Sequence, residues 1–333
     1  MKPIIAISMG DYNGIGPEVT LKALARIDTQ YSTPVWIGST SVLRYYSDSL
    51  NLPFTFHQVD KTGSVKDGVC NIFDPFPDEE LHPEAGVISA VAGMAAMRAL
   101  EAAIRLCMNK RYQALVTAPI SKEAISLAGY NVPGHTEFLA QQTSASDVVM
   151  MLVNEKLRVA LVSTHLPLKE VVNDISTDKI INKAGILHQS LIRDFGIQSP
   201  KVAVLGLNPH AGDGGVLGME EIEIIRPAIQ SLREKGIKAD GPFPADGFFG
   251  SRLNNAYDAI LAMYHDQGLI PFKTLSFGKG VNFTAGLPII RTSPDHGTAF
   301  SIAGKNKADE KSFLEAYKLA VTMAEKRIST YKV

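Results

Sequence analysis

Val202-Ala203-Val204-Leu205-Gly206-Leu207 is a short apolar run rich in β-branched residues, and it leads directly into Asn208-Pro209-His210-Ala211-Gly212-Asp213-Gly214-Gly215. A run that is apolar at successive rather than alternate positions reads as a strand covered on both faces, as in parallel sheets. The same pattern recurs at Ile4 to Met9, Val35 to Gly38, Ala114 to Thr117, Val148 to Val153, Val159 to Ser163 and Ala259 to Tyr264, each bounded by Gly, Pro or polar residues. Between these runs lie stretches of helical composition: Pro83 to Asn109, Thr177 to Phe195, Glu220 to Lys235 closed by Gly236, and Asp309 to Ile328. Strands alternating with helices give the α/β class.

With 333 residues, 45% of them hydrophobic, the chain can bury a sizeable core as two lobes or one large domain. A formal net charge of -1 with scattered basic residues lacks the electrostatic footprint of a nucleic-acid binder. Cys70 and Cys107 form no CxxC pair and stand in apolar settings, which fits buried packing in a reducing compartment. The apolar run after Lys2-Pro3 is too short for a signal peptide, and no stretch approaches the ~20 apolar residues of a membrane span, so a cytoplasmic protein is expected. A strand at the start and a helix at the end suggest that the C-terminus completes the first lobe. Gly241 to Gly304, dense in Gly, Pro and Phe, reads as loops lining a site.

Three histidines share one context. His165, His210 and His265 each follow a predicted strand, at the carboxyl edge where open α/β sheets gather their ligands. Neutral imidazoles suit Zn, Co and related ions, and three protein ligands leave a position open for substrate. Each histidine is followed by a turn sequence, Leu166-Pro167-Leu168, Ala211-Gly212-Asp213-Gly214-Gly215 or Asp266-Gln267-Gly268. The glycines either let substrate approach or form a plain turn.

A fourth histidine lies in Pro133-Gly134-His135-Thr136-Glu137-Phe138, where Thr136 is expected to cap a helix while free donors face a bound anion, with an exposed imidazole beside them. Lys273 and Arg291 each interrupt an apolar stretch, with Asn282 between them in sequence. Such cations pair either with an anionic ligand or within the protein. Gly10-Asp11-Tyr12-Asn13-Gly14-Ile15-Gly16-Pro17-Glu18 follows the first strand but does not fit GxGxxG, so no dinucleotide is placed there.

The chain resembles the 4-hydroxythreonine-4-phosphate dehydrogenase family of vitamin B6 biosynthesis nearly end to end. The resemblance is carried by Gly10-Asp11 with Gly14 to Glu18, Thr117-Ala118-Pro119-Ile120-Ser121-Lys122, Gly134-His135-Thr136-Glu137, Asn208 to Asp213, Pro244-Ala245-Asp246 and Tyr264-His265-Asp266-Gln267-Gly268. It implies a two-lobed, three-layer α/β/α fold of the isocitrate and isopropylmalate dehydrogenase type. Residues 1–130 with 290–333 would form a cofactor-binding lobe, and 131–289 a metal, substrate and dimerisation lobe. It further implies that His165, His210 and His265 hold one divalent metal (Zn, Co or Mg), in a site shared between two subunits of a homodimer. His135, Thr136, Lys273, Asn282 and Arg291 would bind substrate. Asp295 to Lys305 looks like the adenosine-binding loop of those enzymes, with His296, Gly297, Thr298, Ala299 and Ser301 as cofactor contacts. Tyr12-Asn13 departs from the usual Pro-Ala, and Ser301 stands where an Asp is common, which leaves NAD against NADP open.

The implied reaction is metal-dependent, NAD(P)-linked oxidation of 4-phosphooxy-L-threonine to a β-keto acid that decarboxylates to 3-amino-2-oxopropyl phosphate. D-Threonate or D-erythronate 4-phosphate is the alternative substrate, and a zinc hydrolase the alternative of another class. Asp246 and Asp266 are candidates to orient the metal ligands or relay a proton. Lys273 is either a phosphate anchor or part of the base, the anchor being favoured.

Overall fold

The computed structural model describes residues 2–60, 64–132 and 134–330; Pro133, quoted above within a sequence run, and residues 1, 61–63 and 331–333 of the expected first lobe lie outside them. The first elements are β1 (Ile4–Ser8), α1 (Gly16–Leu24), β2 (Thr33–Ile37), α2 (Thr40–Ser49), β3 (His57–Gln58) and β4 (Asn71–Phe73). They are followed by α3 (Ala90–Met108), β5 (Ala114–Thr117), α4 (Lys122–Leu127) and α5 (His135–Thr143). Next come β6 (Val149–Val153), β7 (Arg158–Leu161), α6 (Leu168–Asp174), α7 (Thr177–Arg193), β8 (Lys201–Leu205) and α8 (Arg226–Glu234). The chain closes with β9 (Lys238–Phe243), α9 (Ala245–Gly250), β10 (Ala259–Ala262), α10 (His265–Ser276), β11 (Val281–Ala285), β12 (Ile290–Pro294) and α11 (Lys311–Thr330).

The chain divides into two compact units, Met1–Ser146 with Leu287–Val333 and Asp147–Gly286. These bounds differ from the expected 130/131 and 289/290, and His135 and Thr136, expected in the second lobe, belong to the first unit.

In the first unit six strands run in the order β3-β4-β2-β1-β5-β12, every neighbouring pair parallel. From Ile5 to Ser8 and along β5 the side chains are buried, as expected of strands covered on both faces. Helix α3 packs on β1, β2 and β5, and α11 on β12 and β5, so the C-terminus does complete this unit. The long Ala-rich stretch starts its helix at Ala90 rather than Pro83, because Ser89 accepts the N–H of Ala92 at 3.2 Å and caps it there. Ser121 caps α4 in the same way, through the N–H of Ala124.

In the second unit the order is β11-β6-β7-β10-β8-β9. The three strands β7, β10 and β8 are parallel neighbours. Strand β6, however, pairs antiparallel with both β7 and β11, which corrects the all-parallel expectation. Its apolar run is indistinguishable in sequence from a parallel strand, because burial on both faces dictates composition irrespective of direction. The segment from 241 to 304 is not mainly loop, since it contains α9, β10, α10, β11 and β12. Pro271 sits inside α10, and Leu269 and Phe272 of that helix are buried in the core formed with Leu161, Leu205 and Ile260. Burial of these apolar side chains overrides the local preference of a Gly- and Pro-containing stretch. Ahead of α8, Glu221–Ile225 form a π-helical turn within the stretch read as plain α-helix.

Both cysteines are free and buried, and burial pushes each thiol up to about 12, so neither offers a thiolate. Among the described residues no helix is long and apolar enough to cross a membrane.

Candidate active site

Strands β7, β10 and β8 stand side by side, and the residues just past their carboxyl ends carry His165, His265 and His210 respectively. The rings of His165 and His265 lie 6.1 Å apart between centroids. Two imidazoles on one tetrahedral ion, with nitrogens ~2.1 Å from it, have centroids roughly 5.3 Å apart. The observed pair lies within about an ångström of that spacing. His265 is the first residue of α10, and its Nδ1 lies 2.7 Å from Asp266 Oδ1. When Nδ1 carries the proton, the carboxylate fixes that tautomer and leaves the Nε2 lone pair for a ligand. His210 does not join the pair: among the described residues no group of three His, Cys, Asp or Glu within the chain is arranged to hold a metal.

The loop bearing His210 has unusual geometry. From His210 to Gly214 the φ angles are 53°, 51°, 80°, 43° and 66°, so His210, Ala211 and Asp213 occupy the left-handed region without being glycine. Each such residue costs of order 1–3 kcal/mol, and surrounding contacts must hold the turn. Glu221 supplies some of them, accepting hydrogen bonds from the backbone N–H of Leu207 and of Asn208 at 2.7 Å each. Asp246 and Lys273 are exposed, on α9 and α10. Asn282 on β11 has a buried Oδ1 with no hydrogen-bond partner.

The first unit carries the other constellation. Arg291 on β12 is 2% exposed, and its Nε and Nη2 both donate to Thr117 Oγ1 on β5, at 3.0 and 2.8 Å. Burial lowers its guanidinium to about 10, opposed by the nearby charge of Glu137. His135 opens α5, and Gly134 rather than Thr136 is the N-cap, so Thr136 lies within the first turn. His135 is half-buried, not exposed as expected, and its Nε2 is buried without a hydrogen-bond partner. Burial, then the Arg291 charge, holds this imidazole well below its ordinary pKa and therefore neutral at pH 7. A neutral ring with an unmatched polar atom beside a desolvated cation fits an anionic group with oxygen acceptors.

The segment expected to hold a nicotinamide dinucleotide packs against the N-terminal loop. The carbonyl of Thr298 accepts the N–H of Ile15, and a Cβ added to Gly14 would lie 2.8 Å from that same oxygen. Gly14 is thus needed for close packing of this loop, consistent with the absence of a phosphate fingerprint. Gly297 has open space around it, Ala299 takes a left-handed φ of 43°, and exposed Ser301 lies in a short 3₁₀ turn. His296 Nε2 is buried without a partner, an atom that a bound dinucleotide could satisfy.

Sequence reasoning assigned no role to Asp11, Thr117 or Glu221. Asp11 is fully buried; its Oδ1 accepts the N–H of Asn13 at 3.0 Å, its Oδ2 has no partner, and burial raises its carboxyl to about 6. Asp11 and Thr117 both lay in segments that carried the resemblance. Glu221 gave no comparable signal, because acidic residues are ordinary in a helix's first turn.

The family model described as pyridoxal phosphate biosynthetic protein PdxA matches residues 30–320. A 4-hydroxythreonine-4-phosphate dehydrogenase of Prosthecochloris aestuarii is 45% identical over 97% of this chain and 98% of that protein. A D-threonate 4-phosphate dehydrogenase of Salmonella typhimurium is 41% identical over 96% of this chain and 98% of that protein. The crystal structure of a 4-hydroxythreonine-4-phosphate dehydrogenase from Klebsiella pneumoniae superimposes with a TM-score of 0.88 at 40% identity, covering 97% of this chain and 98% of that one.

Proposed function

The chain belongs to the pyridoxal phosphate biosynthetic protein PdxA family, and on that premise we propose that it oxidises 4-phosphooxy-L-threonine with NAD or NADP. The product is a β-keto acid, which loses carbon dioxide to give 3-amino-2-oxopropyl phosphate. The observation that carries this reading is the unmatched, buried Nε2 of neutral His135 within the field of buried Arg291, a built recognition site for a small anion.

His135, Thr136 and Arg291 bind the anionic substrate, with Thr117 holding the guanidinium fork in place. Lys273 and Asn282 are the further substrate contacts in this reading, Lys273 as a phosphate anchor. Oxidation removes a hydride from the hydroxyl-bearing carbon and a proton from its oxygen. Asp295 to Lys305, with His296, Gly297, Thr298, Ala299 and Ser301, provides the dinucleotide surface. Asp266 orients His265 through the 2.7 Å contact, and Asp246 is the second carboxylate available for proton relay.

His165, His210 and His265 would hold one Zn, Co or Mg ion, which supplies Lewis acidity toward the substrate's hydroxyl and later carbonyl oxygen. Two of the three rings already lie close together, and we assign completion of the set to a second copy of the chain. Large apolar side chains exposed soon after two of the histidines support this: Leu168, three residues past His165, is 70% exposed and Val216, six past His210, is 79% exposed. Apolar residues left in water beside these histidines are what a homodimer interface would cover.

The test is absorbance at the reduced-nicotinamide band, with 4-phosphooxy-L-threonine, D-threonate 4-phosphate and D-erythronate 4-phosphate, both cofactors, and a chelator control. Reduction with the first substrate, abolished by chelator, is expected. Identity of 41% to a D-threonate 4-phosphate dehydrogenase favours that acid as the second reading, which turnover confined to it would establish. Absence of turnover with all three would end both, and phosphate release without nicotinamide would point to the hydrolase alternative.

A further inference from the structure

We infer that Glu221 is a positioning residue for His210, its buried carboxylate fixing the backbone that leads into the imidazole; the inference rests on His210 being a metal ligand. Glu221 is 1% exposed and opens the π-helical turn Glu221–Ile225. Turns of this kind occur mainly as local irregularities, frequently at functional sites. Its Oε1 accepts the N–H groups of Leu207 and Asn208, 2.7 Å each, and its Oε2 accepts the Asn208 side-chain Nδ2 at 3.0 Å. Only Pro209 separates these anchored residues from His210.

The loop closes around the carboxylate on both sides. A Cβ on Gly206 would lie 3.1 Å from Glu221 Oε1, and one on Gly212 would lie 2.6 Å from Oε2. Residues before and after His210 thus approach one side chain as closely as glycine permits. Burying a carboxylate is costly unless its oxygens are matched. Here both are matched, and by the backbone and side chain leading into the left-handed turn. Glu220 reaches the same Asn208 Nδ2, at 2.6 Å, but no backbone N–H of the loop, which makes it the natural control.

The experiment measures zinc and cobalt affinity, by competition with a chromophoric chelator, and the visible band of the cobalt-loaded protein. The full-length chain is compared with His210→Ala, Glu221→Ala, Glu221→Gln and Glu220→Gln, and the melting of each metal-free variant reports its fold. Tight binding is expected to be lost in His210→Ala. In Glu221→Ala it should weaken about 10–100-fold, the usual effect of removing a group that orients a ligand, and the cobalt band should shift. Glu221→Gln keeps an acceptor for the two N–H groups and should fall between, while Glu220→Gln binds as the unaltered chain does. Undiminished affinity in His210→Ala would remove the metal reading and this inference with it. Loss in His210→Ala with unchanged affinity and band in Glu221→Ala would leave that reading standing and overturn the inference alone. Collapse of the fold in Glu221→Gln would also overturn it, by making the carboxylate a general element of stability.

Discussion

The side-chain Nε2 of Gln267 donates a 2.6 Å hydrogen bond to the carbonyl of Gly206, while its Oε1 accepts the backbone N–H of Met263 at 2.7 Å. One amide thereby ties the end of β10, which carries His265, to the end of β8, which carries His210. Replacing Gln267 with Leu leaves both backbone groups without this partner, and each such group costs about 1–3 kcal/mol when it stays buried. We expect a lower urea midpoint and weaker cobalt binding in Gln267→Leu. A variant with the original midpoint and affinity would show that the tie is dispensable.

Thr117→Val keeps the shape of the side chain but removes the oxygen that accepts two hydrogen bonds from Arg291. A buried charged donor loses an acceptor, and about 1–3 kcal/mol of stability should go with it. Because the guanidinium fork is then less well aimed, substrate KM should rise more than kcat falls. Equal KM in steady-state kinetics would separate Thr117 from substrate binding.

Asp11 gives stability a pH dependence of unusual sign. Its folded-state pKa, about 6, lies above the ordinary value of 3.8 because burial penalises the charged carboxylate. The neutral form is therefore favoured in the folded protein, and its contribution is present below pH 3.8 and lost as pH rises through about 6. At about 1.4 kcal/mol per unit this amounts to roughly 3 kcal/mol. Urea midpoints of the unaltered chain and Asp11→Asn, measured from pH 4 to 7.5, should diverge in favour of the variant as pH rises. Parallel curves would contradict the assignment.

Gly14→Ala places a methyl group 2.8 Å from the Thr298 carbonyl, so the segment after β12 must shift. If that segment binds the dinucleotide, the KM for NAD or NADP should rise several-fold while substrate KM changes little. Initial rates with each reactant varied in turn decide this, and an unchanged cofactor KM would move the dinucleotide elsewhere.

Much of this was legible in the chain itself. All seven apolar runs became strands, because a strand covered on both faces must be apolar throughout. The direction of β6 was not legible, since burial leaves no mark of orientation. Nor was α10, where Pro271 and Gly268 argue against a helix while Leu269 and Phe272 reach the core from one. Histidines 165, 210 and 265 stand out by their place after strands, whereas Glu221 and Thr117 are drawn to notice only by hydrogen bonds to residues remote in sequence. His135 was expected ahead of an N-cap at Thr136 and exposed, whereas it opens α5 behind Gly134, and its burial depends on tertiary packing that local sequence does not encode.

The spatial order β7-β10-β8 differs from the order in which these strands leave the ribosome. Strands β7 and β8 are made first yet never touch, and the latest of the three slots between them. A polypeptide that ends before Ala259 lacks the strand that pairs with both β7 and β8, and it lacks Gln267, whose amide spans the ends of β10 and β8. If these histidines hold an ion, its capture would wait for the last of the three strands to be made, and a C-terminally truncated fragment lacking β10 would also lack His265.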